Sequence, residues 1–293
     1  MVLGSIASVQ VGAAIAKGLF DTVSPEAMVW LRLATSTLLL LALIRPRLTG
    51  RSRTDWWVVA GYGLCLGLMN WAIYQSFARI PLGVAVTIEF IGPLAVAVLG
   101  SRRARDLVWA GLALLGVLLL GWEKTDLDPV GVAFALLAGA AWGGYILLSA
   151  ATGRRWEGLD GLAAASAVAV LLVSPVALVG GAGFLTDPRV LALGAAVGVL
   201  SSVIPYALEL VALRRIPASA FGILMSMEPA AAALAALLML DERLSAGQWL
   251  AMACVVAASI GATATAGRRR PDTGTADSSH GAPEQPIPPA PQP

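Results

Sequence analysis

The sequence predicts an all-α integral membrane protein, with ten transmembrane helices arranged as two inverted five-helix repeats. Three observations predict this. Charged residues are 13% of the 293 and apolar residues 58%, with a mean hydropathy of +0.79; a soluble domain averages about 25% charged. The apolar residues gather near 2–20, 25–44, 56–78, 82–100, 105–122, 129–150, 160–180, 189–213, 217–240 and 247–266. Each stretch is about the length a helix needs to cross roughly 30 Å of hydrocarbon. The third observation is an internal repeat. Arg79-Ile80-Pro81 and Pro93 recur at one spacing as Arg215-Ile216-Pro217 and Pro229, and Trp109 and Gly121 recur after a small insertion as Trp249 and Gly261. The period-2 alternation of a membrane barrel is absent, which leaves helices as the spanning structure. Five spans per repeat is an odd number, so the second copy enters the membrane the opposite way.

The boundaries follow from local chemistry. Ser24-Pro25, Asp128-Pro129 and Asp187-Pro188 open the second, sixth and eighth spans, each pairing an N-cap side chain with a proline suited to the first helical turn. Ser245 and Gln248 have capping-box spacing at the last span. We divide the chain into a first repeat at 1–125, a second at 126–266 and a disordered cytoplasmic tail at 267–293. Seven of the 17 prolines fall in that tail, with no apolar periodicity. The only histidine, His280, is there too, which excludes a histidine proton relay in the folded part. Cys65 and Cys254 lie inside spans without metal-ligand spacing and read as small packing residues. We expect no cofactor and no metal.

Arginine and lysine set the orientation. With the N-terminus inside, Arg45, Arg47, Arg51, Arg53, Arg102, Arg103, Arg105, Arg154, Arg155, Arg214, Arg215 and Arg268 to Arg270 lie in inner loops. Only Arg79, Lys124, Arg189 and Arg243 lie outside. This excess predicts cytoplasmic N- and C-termini. The net charge of +2 is therefore a topology signal and does not imply a nucleic-acid partner. Trp56, Trp57, Trp109 and Trp249 read as interface anchors.

Charges inside the spans cost at least about 2.5–3.5 kcal/mol each near the bilayer centre, so they need a partner or a wet cavity. Five stand out: Lys17, Arg32, Glu89, Glu209 and Glu228. Glu89 is roughly 10 Å into the fourth span, Arg32 equally deep in the second, and Glu228 close to mid-membrane in the ninth. Glu89 and Glu228 are the leading candidates for a substrate or proton pathway. A static Arg32–Glu89 ion pair, a Lys17 snorkelling to the outer interface, and a Glu209 paired with Arg214 or Arg215 are the structural alternatives. Gln10, Asn70, Tyr74, Tyr145, Ser201, Ser202, Tyr206 and Ser226 are weaker polar candidates. Proline removes the donor to the carbonyl four residues earlier. Pro93 thus frees the Glu89 carbonyl for a cation, Pro205 that of Ser201 and Pro229 that of Met225, and broken helices at membrane depth are tolerated where they line a cavity.

Several stretches carry a family resemblance. They are Ser8-Val9-Gln10-Val11-Gly12 through Lys17, Leu31-Arg32-Leu33, Gly67-Leu68-Met69-Asn70-Trp71, and Ile80-Pro81 through Glu89-Phe90-Ile91-Gly92-Pro93. Pro205-Tyr206-Ala207-Leu208-Glu209 and Met225-Ser226-Met227-Glu228-Pro229 continue it in the second half. The chain resembles the drug/metabolite transporter superfamily, with two EamA-type repeats over about 1–266, and within it the threonine/homoserine exporter group of bacterial inner membranes. The short N-terminus and long Pro-rich tail depart from the usual pattern but leave these motifs intact.

The resemblance implies a secondary transporter that exports small amino acids, threonine and homoserine, by exchange with protons. The expected partners are that substrate, protons and the lipid bilayer; a homodimer is compatible with the pattern. Lys17 or Arg32 would meet the cargo's carboxylate, and Glu89 or Glu228 its ammonium. Export of another small metabolite or a cationic drug is the alternative within transport, and a non-transporting receptor or scaffold the alternative outside it. An intramembrane enzyme is not expected: there is no His-based metal motif, no Gly-x-Ser-x-Gly elbow and no aspartate at mid-membrane depth.

Overall fold

The computed structural model describes residues 1–100, 107–122, 127–179 and 181–267. Among these, all ten apolar stretches are helical and no strand occurs. In order they are α1 (Val2–Gly18), α2 (Pro25–Ile44), α3 (Arg53–Phe77), α4 (Leu82–Glu89) with α5 (Ile91–Leu99), α6 (Leu107–Trp122), α7 (Pro129–Gly153) and α8 (Asp160–Val179). Then come α9 (Pro188–Gly198) with α10 (Ile204–Leu213), α11 (Ala218–Met225) with α12 (Glu228–Leu240), and α13 (Ala246–Gly267). Eight stretches are long and apolar enough to cross a membrane; α1 and α6 are the shorter apolar pair. The loops with Arg102, Arg103, Arg105 and Lys124, the 125/126 repeat boundary, and the tail with Arg268 to Arg270 and His280 lie outside the described residues.

The caps form as their chemistry requires. Ser24 Oγ accepts from Ala27 N at 3.2 Å, Asp128 Oδ1 from Val130 N at 2.9 Å, and Asp187 Oδ1 from Arg189 N at 2.8 Å. Ser245 and Gln248 close a reciprocal box, with Gln248 N donating to Ser245 Oγ at 3.1 Å and Ser245 N to Gln248 Oε1 at 2.9 Å. Each satisfies a backbone donor that a helix start leaves without an intrahelical partner.

Contacts between helix ends reveal the inversion. Ser5, at the start of α1, donates to Glu209 near the end of α10 at 2.6 Å. Asp128, at the start of the second repeat, instead faces Arg79 just beyond the end of α3, with 3.9 Å between Nε and Oδ2. The two repeats therefore begin at opposite ends of the bundle. The packing also repeats when the halves are exchanged. α4 and α5 pack on α7 as α12 packs on α1, and α3 packs on α8 as α9 packs on α2, while the α2–α8 and α6–α13 pairs each map onto themselves.

The core is built of small residues, with Ala16, Ala72, Ala85, Ala135, Ala138 and Ala232 fully buried. Small side chains let helix backbones approach closely, which drives packing in lipid. Large apolar residues face outward instead: Leu43 is 78% exposed, Leu99 84% and Leu238 74%. This is the reverse of a soluble domain and suits an acyl-chain surrounding. Trp57 is exposed at 72%, in keeping with an interface anchor. Trp109 departs from that expectation. Its ring packs on Gly261 of α13, where a Cβ would come within 2.5 Å of it.

Candidate functional site

Three spans are broken, each just before or at a proline. The fourth stops at Glu89 and resumes at Ile91, with Phe90 N reaching back to Val86 O at 3.1 Å. The ninth is interrupted at Ser226 and Met227, the corresponding place in the second repeat. The eighth widens into a π turn over Val199–Val203 ahead of Pro205. A proline ring cannot donate to the carbonyl four residues earlier, so the ladder opens at each site.

The freed carbonyls have different partners. Arg32 Nη2 donates to Ser201 O at 3.2 Å, and Ser8 Oγ to Leu200 O at 2.6 Å. The π turn is thereby held from α2 and α1. The Glu89 carbonyl does not await a cation, as the sequence suggested. It meets the α7 backbone at Gly139, where a Cβ would sit 2.7 Å from that oxygen. Only glycine permits this approach.

The breaks surround a cavity of about 230 Å³. Gln10, Arg32, Asn70, Glu89, Glu209 and Glu228 all line it, as does Pro205. They come from α1, α2, α3, α4, α10 and α12, so both repeats contribute. Glu89 and Glu228 are buried, at 9% and 7% exposure. Asn70 Nδ2 donates to Leu66 O at 2.9 Å, while Gln10 Oε1, Arg32 Nε and Ser201 Oγ are buried without a hydrogen-bond partner among the described residues. The guanidinium carbon of Arg32 is 5.6 Å from the centre of the Tyr74 ring. A second cavity of about 360 Å³ shares Arg32, Met69 and Asn70 and continues along α2 to Leu43 and Ile44.

Several expectations need correction. Arg32 and Glu89 share the chamber but form no ion pair among the described residues; Arg32 is held by a carbonyl. Glu209 bonds to Ser5 rather than to Arg214 or Arg215. Ser226 points away from the chamber, to Gly222 O at 3.0 Å and Ser259 Oγ at 2.7 Å. Tyr206 lies in α10, and its side chain is outside the described part of the molecule. Pro93 and Pro229 open their helices beside the chamber without lining it.

The largest departure is Lys17. It is absent from the chamber wall and pairs with Glu242 at 2.5 Å, while donating to Ile80 O at 2.7 Å. The other Glu242 oxygen accepts Leu82 N at 2.8 Å, so one carboxylate holds α1 and also caps α4. Asp241, left-handed at φ 52°, ends α12 and turns the chain over this point. Alongside runs a second chain of bonds, from Glu26 through Gln75 to Arg79. This end of the bundle is latched. The sequence reading passed over Glu242; its one signal was an acid directly after the ninth span, at the same end as Lys17. Trp142 was likewise passed over, and with Tyr145 it lines the chamber from α7.

A half-buried guanidinium and two buried carboxylates around one small void, walled by two inverted repeats, are the parts of a carrier for a compact charged solute. The comparisons with known proteins agree on that class. The family model of the EamA-like transporter family matches residues 129–264. Threonine/homoserine exporter RhtA of Salmonella typhimurium is 42% identical over 92% of this chain and 92% of its own length. The protein of that name from Escherichia coli K12 is 42% identical over 90% of each. The uncharacterized transporter YwfM of Bacillus subtilis is 31% identical over 56% of this chain and 57% of its own. A solved crystal structure shares the fold, with a TM-score of 0.60 at 18% identity over 91% of this chain and 96% of that one. The chain belongs to the EamA-like transporters of the drug/metabolite superfamily, among the relatives of the threonine/homoserine exporters.

Proposed function

We propose that this protein is a non-enzymatic secondary transporter of the bacterial inner membrane that exports small amino acids of the threonine/homoserine class by alternating access, in exchange for protons. One observation carries the reading: a single guanidinium, Arg32, shares one chamber with Glu89 and Glu228. A zwitterion needs such a set, a cation for its carboxylate and a carboxylate for its ammonium. Size supports it too. At about 30 Å³ per water the void holds roughly eight waters' worth of matter, the bulk of a compact amino acid. The relatives' names point the same way.

In this reading residues 1–125 and 126–266 are the two rocking repeats, 267–293 is a cytoplasmic tail, and both termini are cytoplasmic. The latched Lys17 end then faces outward, and Arg51, Arg53, Arg154 and Arg155 crowd the inner end, as the positive-inside bias requires. The second cavity continues the chamber along α2 toward that inner end, which suits loading from the cytoplasm. Export then requires the Lys17–Glu242 latch to part while the inner path closes. A carboxylate lining the chamber, Glu89 or Glu228, takes up the returning proton as cargo leaves.

Proteoliposomes under an imposed pH gradient test this. Uptake of labelled threonine and homoserine should exceed that of protein-free vesicles and collapse with the gradient. Uptake no greater than in empty vesicles overturns the reading. Three carboxylates beside one guanidinium also favour a second cargo class, compact organic cations. Counterflow with a panel of amino acids and such cations separates the two.

A further inference from the structure

The ends of a bound zwitterion occupy the charged groups of the chamber, yet the wall also carries polar atoms that those charges leave unused. We infer that Gln10 is the specificity-determining residue, reading the side-chain hydroxyl of the cargo; this rests on the exporter reading above. Gln10 is 3% exposed and lines the cavity, and its Oε1 has no hydrogen-bond partner among the described residues. Buried side-chain oxygens are almost always paired, so an orphan on a cavity wall awaits a partner from the cavity.

Its place in the wall is also distinctive. Along α1, Ser8 and Gly12 face the π turn: Ser8 Oγ donates to Leu200 O, and a Cβ at residue 12 would be 3.2 Å from that of Leu200. Val9, Gln10 and Ala13 face the void. At 100° per residue, Gln10 is the position on that face turned furthest from Gly12. Ser201, whose carbonyl holds Arg32, lies against Gly12. Gln10 and the carboxylate-binding Arg32 therefore flank opposite sides of the α1 face, and a cargo anchored at Arg32 presents its far end to Gln10.

The chemistry selects the group it meets. A hydroxyl both donates and accepts, and a neutral amide offers both in return without drawing the ammonium away from Glu89 and Glu228. Asn70, the other amide in the wall, has its Nδ2 tied to Leu66 O. A site that hydrogen-bonds a substrate hydroxyl rejects the analogue lacking it, because the buried protein group is then left bare. Apolar shape alone separates such isosteres weakly.

The test compares threonine with valine and homoserine with norvaline, each pair differing by hydroxyl against methyl, in counterflow with proteoliposomes. Wild type should prefer the hydroxylated member by roughly 10- to 100-fold, the cost of leaving one buried polar group bare. Gln10→Leu should bring both ratios within a few-fold of one, by losing threonine and homoserine transport and gaining valine and norvaline. Gln10→Asn, which keeps the amide but withdraws it, should fall between, and it serves as the probe if Gln10→Leu does not fold. Wild-type ratios retained in a variant that still transports overturn the inference alone. A wild type that moves threonine and valine equally overturns it as well. Transport of no amino acid by wild type overturns the exporter reading and this inference together.

Discussion

The latch and the chamber both bring charge into an apolar bundle, and they treat it in opposite ways. Lys17 has a carboxylate of its own, Glu242 at 2.5 Å, and a carbonyl besides. Arg32 has one carbonyl, an aromatic ring at 5.6 Å and an Nε without a partner. A cation whose bonds are complete closes a structure; a cation left short of bonds waits for something to complete them. The same contrast separates Glu242, which spends both oxygens on α1 and α4, from Glu89 and Glu228, which share a chamber wall.

The strongest way to break the contrast is to remove the waiting cation. Arg32→Met should lower threonine counterflow by roughly 100-fold, since losing one partner of a desolvated charge pair costs about 2–5 kcal/mol. Its thermal unfolding in detergent should shift by less than its transport, because the Ser201 carbonyl loses a donor, at about 1–3 kcal/mol, while no protein carboxylate loses a partner. Next are the carboxylates. Glu228→Gln should reduce uptake driven by a pH gradient by at least about tenfold while threonine–threonine exchange persists, if this carboxylate carries the proton. Unchanged pH-driven uptake in both Glu89→Gln and Glu228→Gln removes the pair from proton coupling.

A third change acts on the frame. Gly139→Val forces α7 away from the Glu89 carbonyl and should cost about 1–3 kcal/mol, seen as a fall in melting temperature along with lost transport. The smallest effect on cargo binding is expected at the latch. Lys17→Met leaves Glu242 without its cation in a pair whose side chains are only 17% and 18% exposed, a loss on the order of 3 kcal/mol that shifts the balance from closed toward open forms. Cargo affinity should stay within about threefold, while a cysteine introduced at Ile80 becomes more reactive from that side. If Lys17→Met loses transport as completely as Arg32→Met, the two cations do not have separate roles.

Much of the fold was legible in the residues. Hydropathy located all ten spans because lipid accepts little else, and Ser24, Asp128, Asp187 and Ser245 marked starts because a helix start needs an acceptor. Pro93, Pro205 and Pro229 marked the broken spans, since a missing N–H is a local fact. The convergence of Arg32, Glu89 and Glu228 was legible only as cost, because intramembrane charge requires a partner or water. Long-range contacts were not readable. The partner of Lys17 sits beyond the ninth span, and nothing near either residue names the other. The Glu89 carbonyl was correctly read as freed, but its packing against Gly139 depends on how the end of α4 crosses α7. Trp142 looked like any apolar residue, because which face of α7 meets the void is a packing outcome.

The π turn at Val199–Val203 has a consequence for phase. One surplus residue rotates everything beyond it by about 100° relative to an unbroken α-helix. Glu209 looks into the chamber by virtue of that offset. Deleting a single residue between 199 and 203 would restore the regular ladder and leave the carboxylate facing the chamber, whereas closing the π turn with no residue removed would swing it around the helix axis toward a neighbouring face.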